Sequence, residues 1–176
     1  MQSAGYSISQ NTTNVPVTVN FSGIGSPEMY FGYQELENGR VNYFGNPQGL
    51  QPGRIYDYVL PNVSQINTLY LDGEWYSAPD SLIAENGSEI FLIYKAKSVN
   101  VVASGNGTNA SIMVELDGQQ LTPDYLGSDA HLVNGTAVVN VSSSRLYNIV
   151  SAPSYGVHTL EIKANHNFRI YTFTFG

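Results

Sequence analysis

Residues 144–176 read SRLYNIVSAPSYGVHTLEIKANHNFRIYTFTFG, and the pattern inside this stretch decides the fold. Three runs, 145–150, 157–164 and 168–175, are parted by turn-forming clusters. In the second, Val157, Thr159 and Glu161 alternate with His158, Leu160 and Ile162. In the third, Phe168, Ile170, Thr172 and Thr174 alternate with Arg169, Tyr171, Phe173 and Phe175. Side chains alternate faces along a strand, so a period of two predicts strands and excludes helices. Aromatic residues run almost to the last position, so the final strand is expected inside a sheet.

The same grammar extends upstream. Asn86-Gly87, Asn106-Gly107 and Asn134-Gly135 each sit between apolar runs, and Asp117-Gly118 closes the run 111–116. These pairs tolerate the positive φ angles that tight hairpins need. Further strands are expected at 54–60, 81–85, 89–95 and 98–103. Phe91-Leu92-Ile93-Tyr94 is apolar on both faces, as a centrally covered strand would be. Between Pro27 and Tyr58 aromatics are dense and Gly and Pro frequent, which predicts short strands and long loops. Strands at this spacing, without an amphipathic helix among them, predict an all-β sandwich or barrel.

The 176 residues suit one domain with one substantial core. Charged residues are only 12% of the chain, so Asn, Ser, Thr, Gln, Gly and Tyr must cover its surface. The net charge is −7 with no basic run, which argues against nucleic acid and against an anionic membrane surface. There is no cysteine, so this chain has no thiol nucleophile, redox pair or thiolate metal site. No apolar run approaches the roughly 20 residues of a transmembrane helix, so no direct membrane insertion is expected.

Residues 1–25 differ from the rest, with Ser, Asn, Thr and Gln dominant. Within them 15–21 places Val15, Val17, Val19 and Phe21 on one face. Two readings stay open: a linker with an edge strand, or a donor strand that pairs with a neighbouring chain. Residues 26–176 form the sandwich domain.

Eight Asn-X-Ser/Thr sites begin at Asn11, Asn20, Asn62, Asn86, Asn106, Asn109, Asn134 and Asn140, and would suit a glycoprotein. Three of them are also Asn-Gly turns, and Asn140 falls in an apolar strand. His131, His158 and His166 lack metal-binding spacing, and no GxSxG elbow or phosphate loop occurs. Glu74, Glu85, Glu115, Asp124 and Glu161 are the carboxylates from which a hydrolytic pair would be drawn. Asp72, Asp117 and Asp124, near turns, could hold a structural calcium, although no calcium-loop motif is present. Binding is better supported than catalysis. Sugar C–H groups stack on aromatic rings, and thirteen tyrosines with one tryptophan offer such a platform. Trp75 has a competing reading as core, the usual fate of an aromatic in a sandwich.

SPEMYFGYQ at 26–34, LDGEWYSAPD at 71–80 and IFLIYKAKSVNVVAS at 90–104 are followed by VELDGQQL at 114–121. SRLYNIV at 144–150, HTLEI at 158–162 and YTFTFG at 171–176 complete the order. This succession resembles the C-terminal domain of DipZ-type cytochrome c biogenesis proteins. In that family a membrane-embedded electron-transfer domain is followed by an extracytoplasmic thioredoxin-like domain, then by a jelly-roll domain similar to carbohydrate-binding modules. Ser26 and Ile149 depart from the family pattern, which has Thr and Leu there. The resemblance implies an all-β jelly-roll sandwich of galactose-binding or carbohydrate-binding-module type, acting outside the cytoplasm and tethered through a larger parent. Its CxxC is absent here, so redox activity is not carried over.

The expected role is a non-catalytic accessory domain that binds a glycan or a partner protein beside the parent's thioredoxin-like domain. The expected site is an aromatic patch of Tyr30, Tyr33, Trp75 and Tyr147, with Asp72 and Arg145 making polar contacts. The alternative is a structural subunit of a glycosylated surface assembly, joined by strand donation. No cofactor is expected apart from the calcium.

Overall fold

The computed structural model describes residues 25–37 and 44–176. The run 15–21, Tyr43, Asn11 and Asn20 lie outside the described residues, as does the linker or edge strand expected upstream of Gly25. In order the elements are β1 (Met29–Tyr30), α1 (Tyr33–Glu37), β2 (Ile55–Tyr58), β3 (Leu69–Ser77), β4 (Leu82–Ala84) and β5 (Ser88–Ser104). Then come β6 (Ala110–Leu116), β7 (Gln119–Gln120), a 3-10 turn (Pro123–Tyr125), β8 (Ala130–Val133), β9 (Thr136–Val141), β10 (Arg145–Ala164) and β11 (Arg169–Phe175). The expected all-β jelly-roll sandwich is what forms. Among the described residues no helix is long and apolar enough to cross a membrane.

Two long strands generate both layers. The N-terminal half of β5 pairs with β3, through Leu69↔Leu92, and with the C-terminal half of β10, through Leu160↔Leu92. Its C-terminal half pairs with β11, through Phe173↔Val101, and with the start of β10, through Tyr147↔Val101. The change of partner falls at Lys97-Ser98. There the inward series Ile90, Leu92, Tyr94, Ala96 shifts phase to Val99, Val101, Ala103, all fully buried. The expected strands 89–95 and 98–103 are therefore one strand crossing from layer to layer. β6, β9 and β8 extend the first layer beyond β10, and β1 flanks β11 in the second.

Two expectations about the closing stretch and one about β5 need correction. The cluster at 151–156 is no turn: runs 145–150 and 157–164 are one strand, with register shifts at Asn148/Val150 and Ser151/Gly156. A bulge absorbs extra residues without ending a strand. In β11 the strict alternation fails at a shift between Ile170 and Thr172, so Phe168, Ile170 and then Phe173 are the fully buried residues. Phe91 and Ile93 are only half-buried, so β5 is covered on one face.

The hairpin readings divide. Asp117-Gly118 and Asn134-Gly135 have positive φ at both positions and close the β6–β7 and β8–β9 hairpins. Asn106-Gly107 has the same geometry but joins β5 to β6, which are not paired. At Asn86-Gly87 only the glycine has a positive φ, 63°. α1 falls where loops and strands were expected.

Phe173 is fully buried in the core, packing edge-on at 5.3 Å against Phe31, the residue after β1. Phe173→Ala should cost about 3–5 kcal/mol. In urea unfolding the midpoint should fall with the slope unchanged.

Candidate functional site

The expected aromatic patch is not a surface. Trp75 lies within β3, opposite Ala84 and Tyr56, and is fully buried. Its indole N–H donates to the Asp72 carbonyl at 3.1 Å. Tyr147 is 1% exposed; its hydroxyl donates to the Ser143 carbonyl at 2.7 Å and accepts from the Ser142 N–H at 3.1 Å. Neither ring has a face to offer a ligand. Tyr30 is half-buried on β1, its hydroxyl donating to Glu28 at 2.6 Å, and Tyr33 is half-buried at the start of α1. The polar pair is also split: Asp72 lies opposite Glu89 and Arg145 opposite Ala103, at the two ends of β5.

Asp72 and Arg145 have structural employment where they stand. The Asp72 carboxylate accepts the Leu60 N–H at 3.2 Å. The Arg145 guanidinium covers the Tyr147 ring at 3.8 Å and donates to Asp129 at 3.0 Å, while Asp129 also accepts the Asn148 N–H at 2.8 Å. Partial burial works against the Asp129 carboxylate, but the bonds from Arg145 and Asn148 outweigh it and hold its pKa below the ordinary 3.8.

The first-layer outer face does bring carboxylates together. Glu89 is hydrogen-bonded to Glu161, and burial followed by that contact pushes the Glu89 pKa up. Lys163 lies 3.7 Å from Glu161 and 4.0 Å from Glu115. A glycosidase pair needs carboxyls about 5 Å or more apart, with sugar between them. Two carboxyls in direct contact on an open sheet face lack that room. The three aspartates considered for calcium also stand apart: Asp72 serves Leu60, Asp117 serves β10 and Asp124 is on the 3-10 turn. Among the described residues no three His, Cys, Asp or Glu side chains form a group able to hold a metal ion.

A cleft at the sandwich rim is the better-formed site. It encloses about 290 Å³ between the β6–β7 hairpin and the 3-10 turn, lined by Leu116, Asp117, Gln119, Gln120, Leu121, Thr122 and Tyr125. Asp117 fixes its wall. The Asp117 N–H donates to the Thr159 carbonyl at 2.8 Å, and Oδ1 accepts the Thr159 N–H at 2.8 Å. Oδ2 lies 2.7 Å from His158 Nδ1. Behind the wall the Tyr125 ring meets His158 edge-on at 6.1 Å, and Tyr94 lies 5.9 Å from His158 on the other side. Burial first, then Asp117 and Tyr125, push the Tyr94 pKa up, so it stays a neutral O–H donor. Two carboxamides, a hydroxyl, a phenol and an apolar floor can hold a polar, uncharged ligand.

A profile described as "Thioredoxin like C-terminal domain" matches residues 26–176. The chain belongs to that family. DipZ proteins from Mycobacterium bovis and Mycobacterium tuberculosis are each 26% identical over 152 residues, covering 86% of this chain. The chain spans only 18% of the length of those curated relatives. A solved family two carbohydrate esterase from Cellvibrio japonicus shares 16% identity over 60% of this chain and 29% of that one, at a TM-score of 0.45. Likeness at that level adds nothing to the fold described above.

For this thioredoxin-like C-terminal domain, the motifs that carry the resemblance are mostly scaffold. Trp75 and Tyr147 are core, and the 116–118 turn braces the cleft. Trp75→Ala should therefore destabilise by about 3–5 kcal/mol. Tyr147→Phe, which strands the Ser142 N–H and Ser143 carbonyl, should cost about 1–3 kcal/mol. Chemical unfolding of both variants checks this. Because Asp129 is depressed in the folded state, its contribution holds above its ordinary pKa and is lost as pH falls through the lower folded value. Stability measured downward from pH 5 should decline less steeply in Asp129→Asn than in the parent chain.

Proposed function

We propose that this domain is a non-catalytic accessory module of an extracytoplasmic, thioredoxin-like redox protein of the cytochrome c biogenesis type. It binds a carbohydrate or a partner protein while the parent's other domains carry the electron-transfer chemistry. The chain has no cysteine, so a thiol centre must be supplied from elsewhere in the parent.

The rim cleft is the observation that supports this reading most. Sugar recognition pairs an aromatic face with amides and hydroxyls, and Tyr125, Gln119, Gln120 and Thr122 supply both kinds of group in one cavity. The cleft stands on a hairpin clamped to β10, so the groups are held before a ligand arrives. The family supports the accessory role, and the surface suits an extracytoplasmic setting: Asn62, Asn86, Asn106, Asn109, Asn134 and Asn140 are all exposed. Those asparagines are accessible to glycosylation in a host that performs it.

A structural subunit joined by strand donation is the second reading, and one observation favours it. Strand β8 pairs only with β9 among the described residues, and its Leu132 and Val133 are 38% and 45% exposed. It has no Lys, Glu or Pro to guard the edge.

A glycan array probed with the 176-residue chain, alongside its sedimentation, separates the two. The accessory reading expects a monomer and reproducible hits that Tyr125→Ala abolishes while the fold survives. A blank array with concentration-dependent oligomers, lost on deleting residues 1–25, would favour the structural subunit.

A further inference from the structure

Eight Asn-X-Ser/Thr sites are more than the composition explains. Seventeen asparagines with twenty-eight serines and threonines among 176 residues would give about three by chance. Turn chemistry accounts for part of the excess, because three of the sites are Asn-Gly pairs. The side-chain amides show that it does not account for the rest.

Outside the sites, every described asparagine is used by the fold. Asn46 Nδ2 donates to the Val59 and Leu71 carbonyls at 3.1 and 2.9 Å. Asn148 Nδ2 donates to Asn100 Oδ1 at 2.8 Å, and Asn100 Nδ2 to the Thr174 hydroxyl at 3.2 Å. Asn67 Oδ1 accepts the Ser26 hydroxyl, Asn165 Oδ1 accepts the Ser111 N–H at 2.9 Å, and Asn167 Nδ2 donates to Thr108 at 3.5 Å.

Within the sites the reverse holds. Asn62, Asn86, Asn106, Asn109, Asn134 and Asn140 are exposed, and none donates from Nδ2 to another described residue. Only Asn106 has a bonded side chain, its Oδ1 accepting from Arg169 at 3.2 Å. Asn62, Asn109 and Asn140 also lack the positive φ that favours asparagine at a turn.

The hydroxyl two positions on divides the six further. Ser88 is 1% exposed, donating to the Glu74 carbonyl at 2.6 Å and accepting the Glu85 N–H at 3.0 Å. Thr108 donates to the Gly105 carbonyl at 2.9 Å and accepts from Asn167. Ser64 and Ser142 are exposed, Ser111 and Thr136 half-buried, and none of these four hydroxyls bonds another described residue. Asn109 and Asn140 open together into a depression of about 340 Å³ where β6 begins and β9 ends.

We propose that Asn62, Asn109, Asn134 and Asn140 are N-glycosylation acceptors, each taking an oligosaccharide delivered on a lipid phosphate. Asn Nδ2 attacks the anomeric carbon of the first sugar. The C–N bond forms as the C–O bond to the phosphate breaks, the lipid phosphate leaves with that electron pair, and the amide gives up one proton. Asn86 and Asn106, whose partner hydroxyls serve the fold, stay unmodified. None of the four acceptors lines the rim cleft. Asn109 and Asn140 lie at the far end of β6 from it, seven strand residues or about 20 Å away. The proposal goes beyond the accessory reading and shares only its extracytoplasmic setting.

The test is intact-mass measurement and glycopeptide mapping of the protein isolated from its source organism. The expected result is sugar on Asn62, Asn109, Asn134 and Asn140. Expressed in that organism, Asn62→Gln, Asn109→Gln, Asn140→Gln and Thr136→Ala should each lose one glycan, the last sparing the positive φ of Asn134. Made without glycosylation, the three Asn→Gln variants should melt as the parent chain does, whereas Asn148→Gln should melt lower. An unmodified protein overturns the proposal. Sugar on Asn86 or Asn106 to the same occupancy overturns the selection of four. A marked fall in melting temperature in unglycosylated Asn109→Gln or Asn140→Gln would give that asparagine a role in the fold and remove it from the acceptors.

Discussion

The pairing of β5 with β10 is the constraint on which the rest depends. The two strands share fifteen register pairs, from Arg145↔Ala103 to Ala164↔Ser88, interrupted by two bulges. The bulges let a pair of long strands kink together, so one ladder serves two layers. Each half of β5 then recruits its own second neighbour, β3 on one side of the kink and β11 on the other. Buried backbone groups must be paired, and where the ladder breaks at the bend the Lys97 and Ser98 N–H groups donate instead to the Gly176 carbonyl, at 2.7 and 2.9 Å. The phase change at Lys97-Ser98 follows from the same geometry: without it, Val99, Val101 and Ala103 would point to solvent after the kink.

The cleft is a by-product of this ladder. Because Leu160 to Ala164 of β10 also pair with β6, the β6–β7 hairpin stands against β10 beside His158 and Thr159. Asp117 at the hairpin tip needs its positive φ of 56° to turn the chain, and its side chain then ties the turn back to those two residues. One residue thus sets the turn, anchors the hairpin and orients the imidazole. The 3-10 turn completes the cavity with Tyr125.

Strand positions were legible because inward side chains alternate, and the Asp117 and Asn134 hairpins because their dipeptides carry the turn chemistry. Bulges were not. Ser151 to Gly156 has the composition of a turn, yet it stays within β10, with 152–155 unpaired on β5 between two stretches of the ladder. Tyr171 shifts the phase of β11 without any signal in its neighbours. Trp75 and Tyr147 looked like a binding platform because aromatic identity is the same for core and site, while burial depends on which layer faces them. The cleft was hidden for a related reason. Asp117 and His158 are 41 positions apart, and only strand register joins them. The motif VELDGQQL could have raised it, since its Asp-Gly turn and two glutamines put polar groups at a hairpin tip.

The account assigns recognition to a rim cleft braced by a rigid two-layer scaffold, and assigns the tryptophan and the Tyr147 corner to the scaffold. Amide chemical shifts of the labelled chain, followed as a neutral oligosaccharide is added, test that division directly. The predicted result is saturable shifts confined to 115–126 and the His158-Thr159 pair that anchors the hairpin, with residues around Trp75 and Tyr147 unmoved. Shifts centred instead on Tyr30, Tyr33 and the β1–α1 region would contradict it.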